Sequence, residues 1–239
     1  MEVGAHFIFI DILKLTARVF FNRKFVVLNP TIMKVAVAHG LLNSVSYEKY
    51  QAVVSALLLR GEVTGKEQSQ DLIHYTELNE ARMSRLDKKM VITDENIQKL
   101  LMLKKQYTWL VLSEGWCGDA AQLLPIINKM SSFSQHIELR IAFRDENEAL
   151  MNMFLTHGNR AIPKLIVLNK DTEKVLGSWG PRPTGAAQLI KSYKQQYGVI
   201  DETAKKELQL WYLHDKGIST QNEIIELMLH CEQLNLQTK

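Results

Sequence analysis

The 239-residue sequence contains only two cysteines, Cys117 and Cys231, and only five prolines. A secreted fold held together by several disulfides is excluded, because at most one bridge can form. A structural zinc site built from cysteines is excluded on the same ground. We therefore expect a reducing, cytoplasmic location, with no metal and no built-in cofactor.

The sequence also lacks a strong excess of charge of either sign. It has 29 Lys and Arg against 26 Asp and Glu, a formal net charge of +3. This is too small to predict a nucleic-acid or anionic-membrane partner. Hydrophobic residues make up 46% and charged residues 23%, which excludes general disorder and predicts a packed core.

No uninterrupted run of about 20 apolar residues is present, as a spanning helix would require. The apolar stretch 5–28 is broken by charged residues such as Asp11 and Arg18. It has three interpretations: an arm packed on the body, a segment on a membrane surface, or sequence upstream of a true start at Met33. We treat 1–32 as an N-terminal arm of unassigned role, and a membrane partner is not expected.

Hydrophobic periodicity predicts the order β-α-β-α-β-β-α between residues 109 and 197. The predicted strands span 109–112, 137–143, 164–168 and 174–179. The predicted helices span 46–60, 75–88, 93–104, 117–133, 147–156, 183–197, 202–215 and 220–235. A right-handed crossover makes the first two strands parallel, and a hairpin makes the last two antiparallel. The fold class is therefore α/β, with a mixed central sheet flanked by helices.

This pattern divides the chain into four parts. Residues 33–105 form an N-terminal helical extension, 106–198 form the α/β domain, and 199–239 form a helical appendage. Residues 1–32 precede them.

The segment Trp116-Cys117-Gly118-Asp119 lies between a buried strand and the start of a helix. Free backbone N–H groups at a helix N-terminus favour a negative charge. A thiolate, the nucleophilic form of cysteine, is stabilised there. Cys117 is therefore the candidate catalytic residue.

Residues 109–197 resemble thioredoxin. The WCG segment follows a strand, Pro125 lies eight residues after Cys117, Arg160-Ala-Ile-Pro163 precedes a buried strand, and Gly180 follows the last strand. Residues 45–239 resemble a less-studied thioredoxin-like family through TGKEQSQ, YTELNEARMSRLDK, EGWCGDAAQLLP, RDENEALM and WGPRP. The resemblance implies a thioredoxin-like fold with a cis-proline at Pro163. It also implies a substrate groove, whose expected residues are Trp116, Gly118, Asp119, Ile162 and Pro163.

Two departures from thioredoxin bear on the chemistry. Ala120 occupies the position of the second cysteine, and Val111 that of the buried acid. The first step of thiol–disulfide exchange needs only one attacking thiolate, so Cys117 can form a mixed disulfide. Release then needs another thiol, and three sources are open: a small molecule such as glutathione, a partner protein, or Cys231.

The leading prediction is single-cysteine thiol–disulfide exchange through Cys117. The partner is a protein disulfide or a low-molecular-weight thiol such as glutathione. The alternative is a redox-inactive thioredoxin-fold binding module, so enzyme status stays open. A glutathione-transferase-like enzyme is disfavoured because about 40 C-terminal residues are too few for its helical domain. A cluster-binding glutaredoxin is disfavoured because a CGFS-type motif is absent.

The expected reactivity of Cys117 is modest. A helix N-terminus contributes about 0.3–1 kcal/mol, less than one pKa unit below an ordinary thiol near 8.5. Asp119 opposes this effect if its carboxylate faces the sulfur. Cys231 lies on an apolar helical face and is predicted to be a core residue.

Overall fold

A computed structural model describes residues 30–237 of the chain. Its centre is a four-stranded mixed sheet. The strands are β1 (Tyr107–Ser113), β2 (Ile137–Phe143), β3 (Lys164–Asn169) and β4 (Val175–Trp179). Their order across the sheet is β2-β1-β3-β4, with β1 parallel to β2 and antiparallel to β3, and β3 antiparallel to β4.

Helices surround this sheet and extend the chain at both ends. They are α1 (Pro30–Leu42), α2 (Tyr47–Leu58), α3 (Gln70–Lys89), α4 (Asp94–Leu101), α5 (Gly118–Ser131), α6 (Glu148–Met151), α7 (Thr184–Tyr197), α8 (Glu202–Asp215) and α9 (Ile218–Gln237). A 3-10 turn, Arg144–Glu146, follows β2. The α/β class and the thioredoxin-like arrangement of a mixed sheet with added helices are confirmed. None of the described helices is both long and apolar enough to cross a membrane.

The sheet supplies the core of the protein. All seven residues of β1 are buried, as its continuous apolar run predicts for a central strand with both faces covered. Trp109 on β1 is fully buried, and its indole N–H points at the sulfur of Met228 on α9, 3.1 Å away. The C-terminal helices therefore pack directly on the sheet.

Several boundaries differ from the predictions. Helix α3 begins at Gln70 instead of residue 75, because the Ser69 hydroxyl accepts the Leu72 N–H at 3.2 Å and caps the helix. The predicted helix 147–156 is wrong beyond Met151. Residues 152–154 form turns and a bend instead, and His157 and Gly158 adopt positive φ just beyond the predicted end.

The N-terminal prediction is tested only in part. Helix α1 is not among the predicted helices, and it crosses the boundary placed between residues 32 and 33. The rest of the 1–32 arm lies outside the described residues. The division into four parts remains a prediction.

Candidate active site

Cys117 lies at the junction of β1 and α5, at the C-terminal edge of β1. It is the N-cap of α5, and its sulfur accepts the Ala120 N–H at 3.4 Å. Its backbone N–H donates to the Glu114 carbonyl at 3.1 Å, which closes the turn that leads into the helix. The helix N-terminus therefore points at the sulfur, as the sequence predicts.

The loop that contains Pro163 lies directly beside this sulfur. The Ile162–Pro163 peptide bond is cis. The Cys117 thiol donates a hydrogen bond to the Ile162 carbonyl at 3.3 Å. Gly180 adopts a φ of +107°, and a Cβ there would lie 2.4 Å from the Pro163 carbonyl oxygen. Only glycine therefore lets the end of β4 approach the proline loop this closely.

The N-terminal extension holds the loop before Cys117 in place. The Gly115 N–H donates to the Thr64 hydroxyl at 2.8 Å, and the Asn79 amide donates to the Gly115 carbonyl at 3.0 Å. The Trp116 indole N–H donates to the Thr64 carbonyl at 3.0 Å. The TGKEQSQ segment and α3 thus fix the positions of Gly115 and Trp116, the two residues before Cys117.

Trp116 is half-buried, and the Arg144 guanidinium lies over its ring in a cation–π contact, 4.8 Å from the ring centroid. Its indole N–H is already used by Thr64. Trp116 also lines a cavity of about 620 Å³ together with Gly118 and Asp119. Trp116 is therefore both a packing residue and part of an accessible wall.

The Asp119 carboxylate is held in a polar cluster. One carboxylate oxygen accepts the Tyr212 hydroxyl at 2.8 Å, and the other pairs with the Arg182 guanidinium at 2.7 Å. Arg182 belongs to the WGPRP segment, which contributes to the family resemblance but has no role predicted from the sequence. Tyr212 comes from α8, and no sequence signal identifies it.

The electrostatics of Cys117 differ from the expectation. Burial, followed by the negative charge of Asp119, raises the pKa of the Cys117 thiol to about 12. The N–H groups of the helix terminus and the Arg182 charge act in the opposite direction but are weaker. The predicted small decrease of the pKa is wrong, because Cys117 is only 7% exposed and the desolvation of its thiol outweighs the helix terminus.

Glu114, three residues before Cys117, is a buried carboxyl that the sequence reasoning missed. One of its oxygens accepts the Asp145 N–H at 2.9 Å. Burial raises the pKa of Glu114 to about 7. Its only sequence signal is an acidic residue directly after an apolar strand.

Cys231 cannot reach Cys117 in this structure. It lies on α9, fully buried, against Gly177 of β4. Across the sheet, Gly177 is level with Val167 and Trp109. Trp109 lies four residues before the end of β1, and Cys117 lies beyond that end, so the two cysteines are at least roughly 13 Å apart along the strand direction. A disulfide needs Cα atoms about 4.4–6.8 Å apart.

No group of three or more His, Cys, Asp or Glu side chains converges as a metal site within residues 30–237. The site is organised around one thiol, the partly buried Asp119–Arg182 ion pair and the cis-proline loop.

A family model described as thioredoxin matches residues 65–194, more than half of the chain. The chain belongs to the thioredoxin family. The match begins in the TGKEQSQ segment and includes the cysteine, the proline loop and most of α7.

Two solved structures are similar to the thioredoxin-like chain. One is an HIV epitope scaffold, 18% identical, with a TM-score of 0.47, covering 77% of this chain and 98% of the scaffold. The other is a protein of unknown function from Pseudomonas aeruginosa, also 18% identical with a TM-score of 0.47, covering 77% and 97%. No curated protein sequence matches the chain.

Proposed function

We propose that this thioredoxin-family protein carries out thiol–disulfide exchange through Cys117, with an external thiol to complete the cycle. The observation that supports the proposal is the position of the sulfur. It caps the N-terminus of α5 and lies 3.3 Å from the Ile162 carbonyl of the cis-proline loop. Cys231 is fully buried elsewhere.

The first step forms a mixed disulfide. The Cys117 sulfur attacks one sulfur of a substrate disulfide, the substrate S–S bond breaks, and the departing sulfur takes up the proton that Cys117 loses. The N–H groups at the start of α5 stabilise the developing thiolate. Because the resting thiol donates to Ile162, an incoming backbone that pairs with this loop competes for the same carbonyl.

The second step needs a thiol from outside the chain, because Ala120 replaces the resolving cysteine. A low-molecular-weight thiol such as glutathione attacks the mixed disulfide at Cys117, and the substrate leaves as a thiol. A second molecule then restores Cys117 and leaves as the small-molecule disulfide. The two external thiols supply the two electrons that reduce the substrate.

A second candidate function, a redox-inactive binding module, is favoured by the burial of the same sulfur. With a pKa of about 12, very little thiolate exists at neutral pH in the unbound protein. In this alternative, the cis-proline loop and Trp116 form a binding surface and Cys117 is a core residue.

A turnover assay separates the two functions. The reduction of hydroxyethyl disulfide is followed with glutathione as reductant, for wild type, Cys117→Ser and Cys231→Ser. Exchange through Cys117 predicts activity in wild type and Cys231→Ser and none above background in Cys117→Ser. Equal background rates in all three folded proteins would favour the binding module.

A further inference from the structure

A groove extends from the candidate active site along one side of α5. Gly118, Gln122 and Ile126, spaced four residues apart, lie on one stripe of this helix and form the floor. Helices α3 and α8 form the walls. We call this surface the helix groove.

Three adjoining cavities of about 620, 430 and 330 Å³ make up the helix groove. The first two share Arg82 and Lys206, and the last two share Arg85 and Leu213. The first cavity also borders Trp116. The α3 wall spans residues 74–89, about 22 Å at 1.5 Å per residue, which matches roughly seven residues of extended chain.

The charge of the helix groove is strongly unbalanced. Seven Lys or Arg residues line it, against two carboxylates, Asp119 and Glu202. Both carboxylates already have partners, Asp119 in Arg182 and Glu202 in Lys205. Within residues 30–237, the remaining five cations form no ion pair. These are Arg82, Arg85, Lys89, Lys206 and Lys216.

Arg82, at the end of the groove nearest Cys117, is close enough to a second cation, Arg85, to be repelled by it. The Arg82 Nη1 atom lies 3.9 Å from the point that a Cβ on Gly118 would occupy. Arg82 Nη1 donates to a neutral partner, the Asn79 amide oxygen, at 2.9 Å. Burial, followed by the like charge of Arg85, lowers the pKa of the Arg82 guanidinium. A ligand carboxylate here would supply the counter-charge that Arg82 lacks and would offset the repulsion from Arg85.

The groove is also apolar between these charges. Leu78 on α3 and Leu210 and Leu213 on α8 are 39%, 44% and 52% exposed. A small anion would leave these side chains in water. A polypeptide that alternates carboxylates with apolar side chains would neutralise the cations and cover the leucines together.

We propose that the helix groove binds a segment of a partner protein in which acidic residues alternate with apolar residues such as leucine, and that it presents this partner to Cys117. The claim that the bound partner is a substrate rests on the proposed exchange function. Binding in the helix groove does not require the thiol. The chain's own residues 1–29 have the wrong charge, because they hold four Lys or Arg against two acidic residues.

The test is fluorescence anisotropy on the Cys117→Ser protein, so that binding is measured apart from exchange. The probe is a fluorescein-labelled octapeptide of alternating Glu and Leu, with a Lys and Leu octapeptide of the same pattern as its counterpart. We expect saturable binding of the acidic probe only, weakened by added salt. Equal binding of both probes, or none of the acidic one, would overturn the proposal.

A matched pair of variants locates the binding. Arg85→Glu/Lys206→Glu reverses two exposed groove cations, and Lys105→Glu/Lys174→Glu makes the same change of charge at the opposite end of the sheet. The groove variant should bind the acidic probe about tenfold more weakly or worse, and the control variant should bind it as before. Equal loss in both variants would show a general charge effect and refute the site.

A thymidine oligonucleotide in the same assay tests the other class of polyanion. Tighter binding of the oligonucleotide, lost in the groove variant, would replace the peptide by a nucleic acid and refute the proposal. If wild type binds the acidic peptide but shows no exchange activity, the helix groove is supported as a binding site and only the proposed exchange chemistry is rejected.

Discussion

Replacing Asp119 with Asn removes one charge from the cluster beside Cys117 and changes little else in shape. In the native protein the Asp119 carboxylate pairs with Arg182 at 2.7 Å and accepts the Tyr212 hydroxyl at 2.8 Å. Asn keeps an oxygen acceptor for Tyr212. It leaves the guanidinium of Arg182 without its counter-charge.

The substitution should act on the thiol and on stability in opposite senses. The Asp119 charge raises the pKa of Cys117, and Arg182 lowers it. With only Arg182 left, the pKa of Cys117 decreases, and each unit of decrease increases the thiolate fraction about tenfold. The free energy of unfolding should decrease by about 2–3 kcal/mol, below the usual 3–5 for a broken buried pair because Arg182 is part-exposed.

Two assays check this prediction. Iodoacetamide labelling of Cys117, measured against pH and followed by peptide mass spectrometry, should be faster in Asp119→Asn than in wild type. Urea denaturation should show the loss of stability. Labelling that is unchanged or slower in a folded Asp119→Asn protein would refute the electrostatic reasoning.

Tyr212→Phe is the matched control for Asp119→Asn. It removes one hydrogen bond from the same carboxylate and no charge. We expect a loss of about 1 kcal/mol in the free energy of unfolding and labelling of Cys117 close to that of wild type. Equal acceleration in both variants would mean that loosened packing, and not charge, controls the thiol.

Three further predictions test the surroundings of the site. Burial raises the pKa of Glu114 from 4.5 to about 7. The free energy of unfolding of the wild type should therefore decrease as the pH rises from 4.5 through 7 and Glu114 ionises. Glu114→Gln should therefore gain up to about 3 kcal/mol relative to wild type between pH 5 and pH 8 in urea unfolding, and a pH-independent difference would count against this. Gly180→Ala should destabilise the protein by about 2–4 kcal/mol, because its Cβ would lie 2.4 Å from the Pro163 carbonyl at a φ of +107°; a melting temperature equal to that of wild type would contradict the close approach. Ala120→Cys places a thiol at the third residue of α5, so it should form a disulfide with Cys117 and reduce insulin, and a folded variant without either property would show that the site geometry is not that of a dithiol enzyme.

The sequence predicts the central fold well because its signals there are local. The continuous apolar run at 109–112 and the alternation at 137–143 each specify a strand, and the Cys117 segment specifies the start of α5. The failures also have local causes. The Ser69 cap starts α3 five residues before the predicted start, and α6 ends at Met151 where turn residues follow, five residues before the predicted end.

The site was less predictable because burial and long-range partners determine it. The sequence places Cys117 at a helix N-terminus, but it does not show that desolvation outweighs that terminus. The sequence shows that Asp119 is close to the sulfur along the chain. Its partners Arg182 and Tyr212 lie 63 and 93 positions further on, and no local pattern predicts these contacts. The roles in substrate binding of the five residues Trp116, Gly118, Asp119, Ile162 and Pro163 remain predictions.

Intact mass spectrometry after incubation with oxidised glutathione tests the central claim most directly. Wild type, Cys117→Ser and Cys231→Ser are compared under native conditions. The proposed exchange predicts one glutathionyl adduct on wild type and on Cys231→Ser, reversed by reduced glutathione, and none on Cys117→Ser. No adduct on wild type, or equal adducts on wild type and Cys117→Ser, would contradict exchange through Cys117.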